Sequence, residues 1–203
     1  MTEVTRTMDQ AVNPVRNSSG ALNSAGMIME RNPAAGQRDL ISNGVKAMVN
    51  REGKYLTFSL AGEEYGISIL KIKEIIGMMP ITTVPRTPSF VKGVINLRGK
   101  VIPVVDLRLK FGMEEMGYTE RTCIIVVETR GQSGSVLVGI VVDSVSEVLN
   151  IKGADIEETP TFGARLDTDY ILGMAKMNGG VKILLDIDKV LGAEEINMLD
   201  KAA

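Results

Sequence analysis

The amino-acid sequence predicts a mainly β fold made of small barrels or a sandwich. Short apolar runs recur about every 8–15 residues, few segments have the period of a long helix, and glycine and proline interrupt the chain often. About 150 residues of this kind form two five-stranded units more readily than one large barrel. Periodicity alone leaves the choice among these arrangements open.

The folded part is expected to begin near residue 53. All aromatic residues lie at Tyr55 or later, and the segment before them is rich in Asn, Ser, Gly and Ala. Such a segment buries too little apolar surface to offset the entropy lost on ordering. We therefore predict a disordered extension, either passive or partner-binding, over residues 1–52 and a folded domain over residues 53–203.

A hairpin is predicted at the start of the folded part. YLTFSL (55–60) and YGISI (65–69) flank the turn AGEE (61–64). LKIKEIIGM (70–78) has the β-branched content of a strand that follows a brief helical turn. PITTVPRTPSF (80–90) contains three prolines, so it is predicted to be an extended connector that ends in a short helical turn at Pro88.

Two further strands and a helical turn are predicted after this connector. The strands are GVINL (93–97) and KVIPVVDL (100–107), and Pro103 within the second requires an edge position or a bulge. RLKFG (108–112) is predicted to form one helical turn that ends at Gly112.

The next apolar runs are predicted to form another hairpin. Its arms are CIIVVE (123–128) and VLVGIVVDSVSEVLNI (136–151), and the polar turn TRGQSGS (129–135) joins them. The segment IEETPTFGARLDTDY (156–170) is predicted to be a loop.

The last hairpin and a helix complete the predicted elements. ILGMAKM (171–177) and VKILLDI (181–187) flank NGG (178–180), which supplies the positive φ angles of a tight turn. DKVLGAEEINMLDKAA (188–203) has helical propensity, and Asp188 is its predicted N-cap.

Composition excludes several classes of function. The net charge of −2 argues against sequence-independent binding to nucleic acid, and no apolar run approaches the ~20 residues that cross a bilayer. The start MTEVTRTMDQ lacks the apolar segment of a secretory signal, and the single cysteine, Cys123, fits a reducing compartment, so we expect a cytoplasmic protein. Without histidine, the Ser-His and Cys-His catalytic arrangements are excluded, and no cofactor is expected.

Four blocks of the chain resemble the CheW family of chemotaxis coupling proteins. They are EEYGISILKIKEIIG (63–77), PSFVKGVINLRGKVIPVVDLRLKFG (88–112), VGIVVDSVSEVL (138–149) and DYILGMAKMNGGVKILLDIDKVL (169–191). The blocks follow the order of the family, and the resemblance covers about three quarters of the chain. It implies two intertwined five-stranded SH3-like barrels with short helices and a C-terminal helix. A boundary near residues 105–120 is implied, with exchange of the termini left open.

The resemblance also implies an adaptor without catalysis. CheW proteins bridge the cytoplasmic tip of chemoreceptors to the histidine kinase CheA, whose regulatory domain shares their fold, so the chain is expected at membrane-associated receptor arrays. The same module in a circuit for surface motility or gene expression is an alternative that the sequence leaves open. A carboxylate-based hydrolase has little support, because no cofactor motif or recognisable acidic cleft accompanies the missing histidine.

Arg98 is the first candidate for receptor binding. The family places this arginine of its Asn-Leu-Arg-Gly block in a groove between the barrels, and Asn96–Gly99 keep that block intact. A guanidinium offers a planar fork of donors that suits carboxylates and carbonyls. Gly93 and Gly99 are expected to permit tight turns and close approach around it. The alternative is that Arg98 caps a carbonyl within its own loop.

Aliphatic residues are expected to form the walls of the receptor-binding groove. One wall has a carboxylate among its members, and core packing is the alternative for each aliphatic residue: Ile69, Ile72, Glu74, Ile75 and, on the opposite wall, Val145 and Val148. Kinase contact is expected in the proline-rich connector at Ile81, Thr82 and Val84. Two acidic pairs, Asp186 with Asp188 and Glu157 with Glu158, are interpreted as surface charges or a helix cap rather than catalytic or metal sites.

Overall fold

A computed structural model describes residues 51–131, 134–160, 168–177, 180–192 and 195–196. Except for its last two residues, the predicted disordered extension lies outside these ranges. The described residues form eleven strands in two sheets with a few short helices, which confirms the predicted mainly β fold.

The first predicted hairpin is confirmed. Strands β1 (Gly53–Leu60) and β2 (Glu63–Ser68) are antiparallel, with Leu56 opposite Ile67. A 3-10 helix over Ile69–Lys71 precedes β3 (Ile72–Gly77), which is the predicted strand after a brief helical turn.

The connector after β3 contains no helix in its described residues. The predicted helical turn at Pro88 is wrong, because the chain makes only a turn in which the Val91 N–H donates to the Pro88 carbonyl at 2.9 Å. Strands β4 (Val91–Leu97) and β5 (Lys100–Asp106) follow.

Helix α1 (Leu107–Lys110) is the helical turn predicted after β5. Asp106 caps it, since its side chain accepts hydrogen bonds from the N–H groups of Arg108 and Leu109. Gly112 follows with a φ of 69°, the left-handed conformation that commonly ends a helix.

The run from 136 to 151 is not one arm of a hairpin. Strand β6 (Cys123–Gly131) pairs with β7 (Gly134–Val142). Asp143 interrupts the extended run, and the next strand, β8 (Ser144–Ile151), joins the other sheet. The predicted polar turn is shorter than expected because both arms continue into it, and residues 132–133 lie outside the described ranges.

The predicted loop after β8 contains two short elements, a 3-10 helix over Gly153–Asp155 and strand β9 (Ile156–Glu157). Strands β10 (Ile171–Met177) and β11 (Gly180–Leu185) confirm the last predicted hairpin, of whose turn only Gly180 is described.

Helix α2 (Ile187–Val190) is capped by Asp186, so the predicted cap at Asp188 is wrong. The Asp186 carboxylate accepts a hydrogen bond from the Asp188 N–H at 3.1 Å, whereas the Asp188 side chain pairs with Lys71. Of the predicted helix over 188–203, residues 193–194 and 197–203 lie outside the described ranges.

Each sheet combines strands from both halves of the chain. The order β3-β6-β7-β5-β4 forms what we call the first barrel, and the order β8-β1-β2-β11-β10-β9 forms the second barrel, in which the two-residue β9 is a sixth strand. The hairpin β1–β2 therefore completes the second barrel, and the hairpin β6–β7 completes the first. In the first barrel Pro103 pairs only with β4, because the parallel ladder between β5 and β7 begins at Val104.

The two barrels share a large apolar core between them. Along β6, Ile125 and Val127 point into this shared core, whereas Ile124 and Val126 point into the interior of the first barrel. Both faces of the strand are thus buried, which explains its uninterrupted apolar run. Each fully buried side chain of this size contributes about 1.5–3 kcal/mol, so the shared core holds the barrels together strongly.

Candidate functional site

Arg98 lies in the two-residue turn between β4 and β5. Its φ is 53° and that of Gly99 is 82°, so both adopt the left-handed region that such hairpin turns require. The Asn96 side chain stabilises the turn, because its Oδ1 accepts a hydrogen bond from the Gly99 N–H at 2.9 Å. The left-handed region costs a residue other than glycine about 1 kcal/mol or more, and such strain is concentrated at functional positions.

The guanidinium of Arg98 pairs with the carboxylate of Glu74 on β3. The distance from Nη2 to Oε1 is 2.7 Å, and the Arg98 side chain is 78% exposed while that of Glu74 is 27% exposed. An exposed pair of this kind stabilises a fold by at most about 1 kcal/mol. A carboxylate or carbonyl of another protein can therefore replace Glu74 with little loss of stability.

A cavity of about 160 Å³ opens beside this ion pair. Its lining combines charged side chains with aliphatic side chains of the first-barrel core: Lys73, Glu74, Leu97, Arg98, Lys100, Ile102, Val126 and Leu137. The volume suits one aliphatic side chain rather than a cofactor. The turn thus presents a cation, a carboxylate and a small apolar recess within one surface.

The apolar candidates near β3 divide between core and surface. Ile69 and Ile72 are half-buried and pack against the shared core. Ile75 is 44% exposed, and Leu70, which the sequence reasoning did not select, is 85% exposed. The run ILKIKEII over 69–76 was the available signal, since it holds more apolar residues than one strand face buries.

The two valines on β8 divide in the same way. Val145 is half-buried against the shared core, whereas Val148 is 50% exposed. The Cys123 thiol lies within hydrogen-bonding reach of the Val145 backbone, and Cys123 pairs with Gly77 at the end of β3. The start of β8 therefore lies near the end of β3, on the same side of the shared core.

Gly93 is not part of the Arg98 turn. It lies near the other end of β4, where its φ is 138° and a Cβ atom would stand 2.1 Å from the Thr82 carbonyl oxygen. Thr82 and Val94 exchange two backbone hydrogen bonds of 2.9 Å at this point. The glycine is required because the connector pairs with β4 at this point and its backbone leaves no room for a Cβ atom.

The connector candidates occupy three different environments. Ile81 is half-buried and packs against the first-barrel core, Thr82 is exposed while its backbone is paired, and Val84 is half-buried. This backbone pairing and the flanking prolines restrain the connector in an extended form.

A second cavity, of about 290 Å³, lies where the two barrels meet and includes Arg108 and Asp143 in its lining. The Arg108 guanidinium donates two hydrogen bonds of 2.6 Å to the Asp143 carboxylate. Burial raises the pKa of Asp143, but the bonds from Arg108 and from the Ala61 N–H outweigh it, so the pKa lies below its usual value. This ion pair joins α1 to the turn of the hairpin β1–β2.

The acidic pairs have structural partners. Asp186 caps α2, Asp188 pairs with Lys71, and Glu157 pairs with Lys176 at 2.6 Å. Among the described residues, no group of three or more Cys, Asp or Glu side chains is placed to hold a metal ion. No helix in the same part of the chain has the length and apolarity to span a bilayer.

Two fused small barrels that expose an arginine turn and nearby apolar side chains form a module suited to binding another protein. The family model described as "CheW-like domain" matches residues 54–195. The chain therefore belongs to the CheW family.

Individual relatives agree with this assignment. "Chemotaxis protein CheW" of Klebsiella aerogenes is 43% identical over 150 residues, which are 74% of this chain and 88% of that protein. "Protein FrzA" of Myxococcus xanthus is 31% identical over 147 residues, which are 71% and 89% of the two chains. The crystal structure of the scaffolding protein TtCheW from Thermoanaerobacter tengcongensis matches with a TM-score of 0.61 and 35% identity, over 71% of this chain and 95% of that one.

Proposed function

We propose that this protein is a non-catalytic adaptor that couples the cytoplasmic tip of chemoreceptors to a CheA-type histidine kinase. The observation that carries the proposal is the Arg98 turn, in which a strained backbone holds a guanidinium that is 78% exposed and bonded to Glu74. Ile75, which follows Glu74 on β3, and Val148 on β8 are exposed and available for apolar contacts with a partner. A helical tip that offers carboxylates or carbonyls together with aliphatic side chains complements this surface.

The receptor test is the charge reversal Arg98→Glu. Because it places a second carboxylate beside Glu74, we expect affinity for a receptor cytoplasmic fragment to fall at least about tenfold while binding to the kinase is retained. The matched control Arg121→Glu changes an exposed arginine in the segment between α1 and β6 and should bind as the wild type does. Equal receptor affinity in the two variants would remove the role given to Arg98.

The kinase surface is proposed at the connector, on Ile81, Thr82 and Val84. Its proline-restrained, backbone-paired conformation lowers the entropy lost when another protein binds it. Thr82→Arg places a bulky charge on an exposed position without removing the backbone bridge, so we expect weaker kinase binding and unchanged receptor binding. Co-sedimentation of the protein with receptor fragments and the kinase regulatory domain distinguishes the two surfaces.

The whole adaptor proposal has its own decisive outcome. Each surface is modest, so a ternary complex should be more stable than either pair, through multivalency. Wild-type protein that leaves both receptor sedimentation and kinase activity unchanged would refute coupling. An array location at the membrane follows from receptor binding and is tested by fluorescence of a tagged chain in cells with and without receptors.

We also propose a second circuit on one observation, the similarity to Protein FrzA, a relative that does not carry the name CheW. In that case the module serves surface motility or gene regulation with the same two surfaces. Deletion of the gene followed by swimming, surface-spreading and transcription assays separates the two outputs.

A further inference from the structure

The two barrels are internally equivalent, and the hydrogen-bond registers define the equivalence residue by residue. Gly93, Gly99, Val101, Asp106 and Gly112 each recur as the same residue type 80 positions later. The structure repeats with them, since the Asp106 N–H bonds the Phe90 carbonyl at 2.8 Å and the Asp186 N–H bonds the Tyr170 carbonyl at the same distance. The segments β4–β5–α1 and β10–β11–α2 are therefore counterparts.

The parallel ladders extend this equivalence to the exchanged hairpins. Val104 pairs with Gly139 on β7, and its counterpart Leu184 pairs with Gly66 on β2. Gly139 pairs in turn with Val126, as Gly66 pairs with Thr57. Hairpin β6–β7 is thus the counterpart of hairpin β1–β2. Since the exchange is reciprocal, the operation that relates the barrels is an approximate two-fold.

The same two-fold relates the proposed groove walls, β3 and β8. Ile75 pairs with Ile125 on β6. Val148 pairs with Leu56 on β1, and Leu56 is the counterpart of Ile125. Glu74 pairs with Val126, whose counterpart is Thr57. The Thr57 hydroxyl exchanges hydrogen bonds of 3.0 and 3.3 Å with the Glu147 backbone.

The ladder register shifts at corresponding places on the two walls. Ile72, Glu74 and Ile75 therefore correspond to Val145, Glu147 and Val148. The aliphatic parts of the walls repeat each other, with an exposed residue at Ile75 and at Val148.

Charge breaks this two-fold. On β3 the carboxylate of Glu74 is neutralised by Arg98. The residue 80 positions after Arg98 is Asn178, which carries no charge and lies outside the described residues. Glu147 is exposed, and no lysine or arginine of the described part of the chain pairs with it. The neighbouring carboxylate, Glu64, is already paired with Lys182.

We propose that Glu147 is a specificity residue that takes a lysine or arginine side chain from a pair of antiparallel helices bound between β3 and β8. The inference rests on the proposed receptor-binding function. Antiparallel helices have a local two-fold of their own, so repeating aliphatic walls accept them in two orientations related by 180°. The Arg98–Glu74 pair on one side and the unpaired Glu147 on the other make these orientations unequal, because only one of them brings a cation of the helices to Glu147.

Binding of a purified receptor cytoplasmic fragment tests the proposal. Glu147→Arg replaces the unpaired carboxylate on β8 by a cation that repels a lysine or arginine of the ligand, and we expect affinity to fall about tenfold, whereas the exposed control Glu120→Arg binds within about twofold of the wild type. Glu147→Gln removes the charge without reversing it and should give a smaller loss of affinity. It also decides the matter if circular dichroism shows that Glu147→Arg is unfolded.

Orientation provides a readout that a merely structural role does not change. In a Cys123→Ser background, Ile75→Cys and Val148→Cys should each cross-link to one receptor helix only, and Glu147→Gln should allow each to cross-link to both. The inference is overturned if the Glu147 variants keep wild-type affinity and single-helix cross-links while Arg98→Glu binds more weakly. That result leaves the proposed receptor-binding function standing. Failure of the wild type to bind the fragment overturns the proposed function and this inference with it.

Discussion

Replacement of Arg108 by alanine is expected to destabilise the fold more than the loss of any exposed charged side chain. The Arg108 side chain is only 11% exposed, and its Nε and Nη2 each lie 2.6 Å from an oxygen of Asp143. That carboxylate also accepts a 2.8 Å hydrogen bond from the Ala61 N–H in the β1–β2 turn. The substitution thus leaves a largely buried carboxylate with a single backbone donor.

The magnitude follows from this geometry. Breaking a buried ion pair by removing one partner costs about 3–5 kcal/mol. Asp143 remains 28% exposed, so water compensates part of the loss, and we expect a loss of about 2–3 kcal/mol for Arg108→Ala. In a domain of this size such a loss lowers the melting temperature by about 4–12 °C.

Urea unfolding followed by circular dichroism measures the effect. Arg121→Ala, which removes an exposed arginine, should change the free energy of unfolding by less than about 0.5 kcal/mol. The double variant Arg108→Ala/Asp143→Ala should lose less than the sum of the two single variants, because no unpaired carboxylate remains. A loss in Arg108→Ala no larger than that of the control, or strict additivity in the double variant, would refute the reasoning.

Three further outcomes are expected. The pKa of Asp143 is lowered in the folded state, so its stabilising contribution is present above the ordinary aspartate pKa of about 3.9 and is lost as the pH falls below that value. The stability of Asp143→Asn should therefore decline less steeply with acid than that of the wild type. Gly93→Ala should lose at least about 2 kcal/mol of unfolding free energy because its Cβ meets the Thr82 carbonyl, whereas Gly117→Ala, with open space around its Cβ, should be nearly neutral; similar melting curves would contradict this. Burial raises the pKa of the Cys123 thiol, so a thiol reagent at pH 8 should react more slowly with folded than with urea-unfolded protein, and equal rates would disprove the burial.

The sequence predicted the mainly β fold and most strand positions because turn residues separate the apolar runs. It did not reveal the break at Asp143, since strands buried on both faces lack the alternation that marks a boundary. Nor did it distinguish Asp186 from Asp188 as a helix cap, because two aspartates two residues apart offer the same local chemistry.

The functional site was likewise predictable only in part. Arg98 and Gly99 carry a recognisable turn signal, and the structure places them in a left-handed turn. The pairing of Arg98 with Glu74 was not predictable, because it depends on how β3 lies relative to the β4–β5 turn. The 80-residue repeat was present in the sequence, but its few identical positions are spread too thinly to be recognised without the registers that align them.

The exchanged hairpins determine when the protein can fold during synthesis. Strand β3 and the hairpin β4–β5 lack their sheet partners until β6 and β7, which end at Val142, have been synthesised. The first hairpin lacks one of its partners until β11, which ends at Leu185, has been synthesised. Neither barrel can close while only the first half of the chain has left the ribosome, so early strands remain exposed to chaperones or aggregation for most of translation. A cut in the middle of the chain yields two incomplete pieces rather than two barrels.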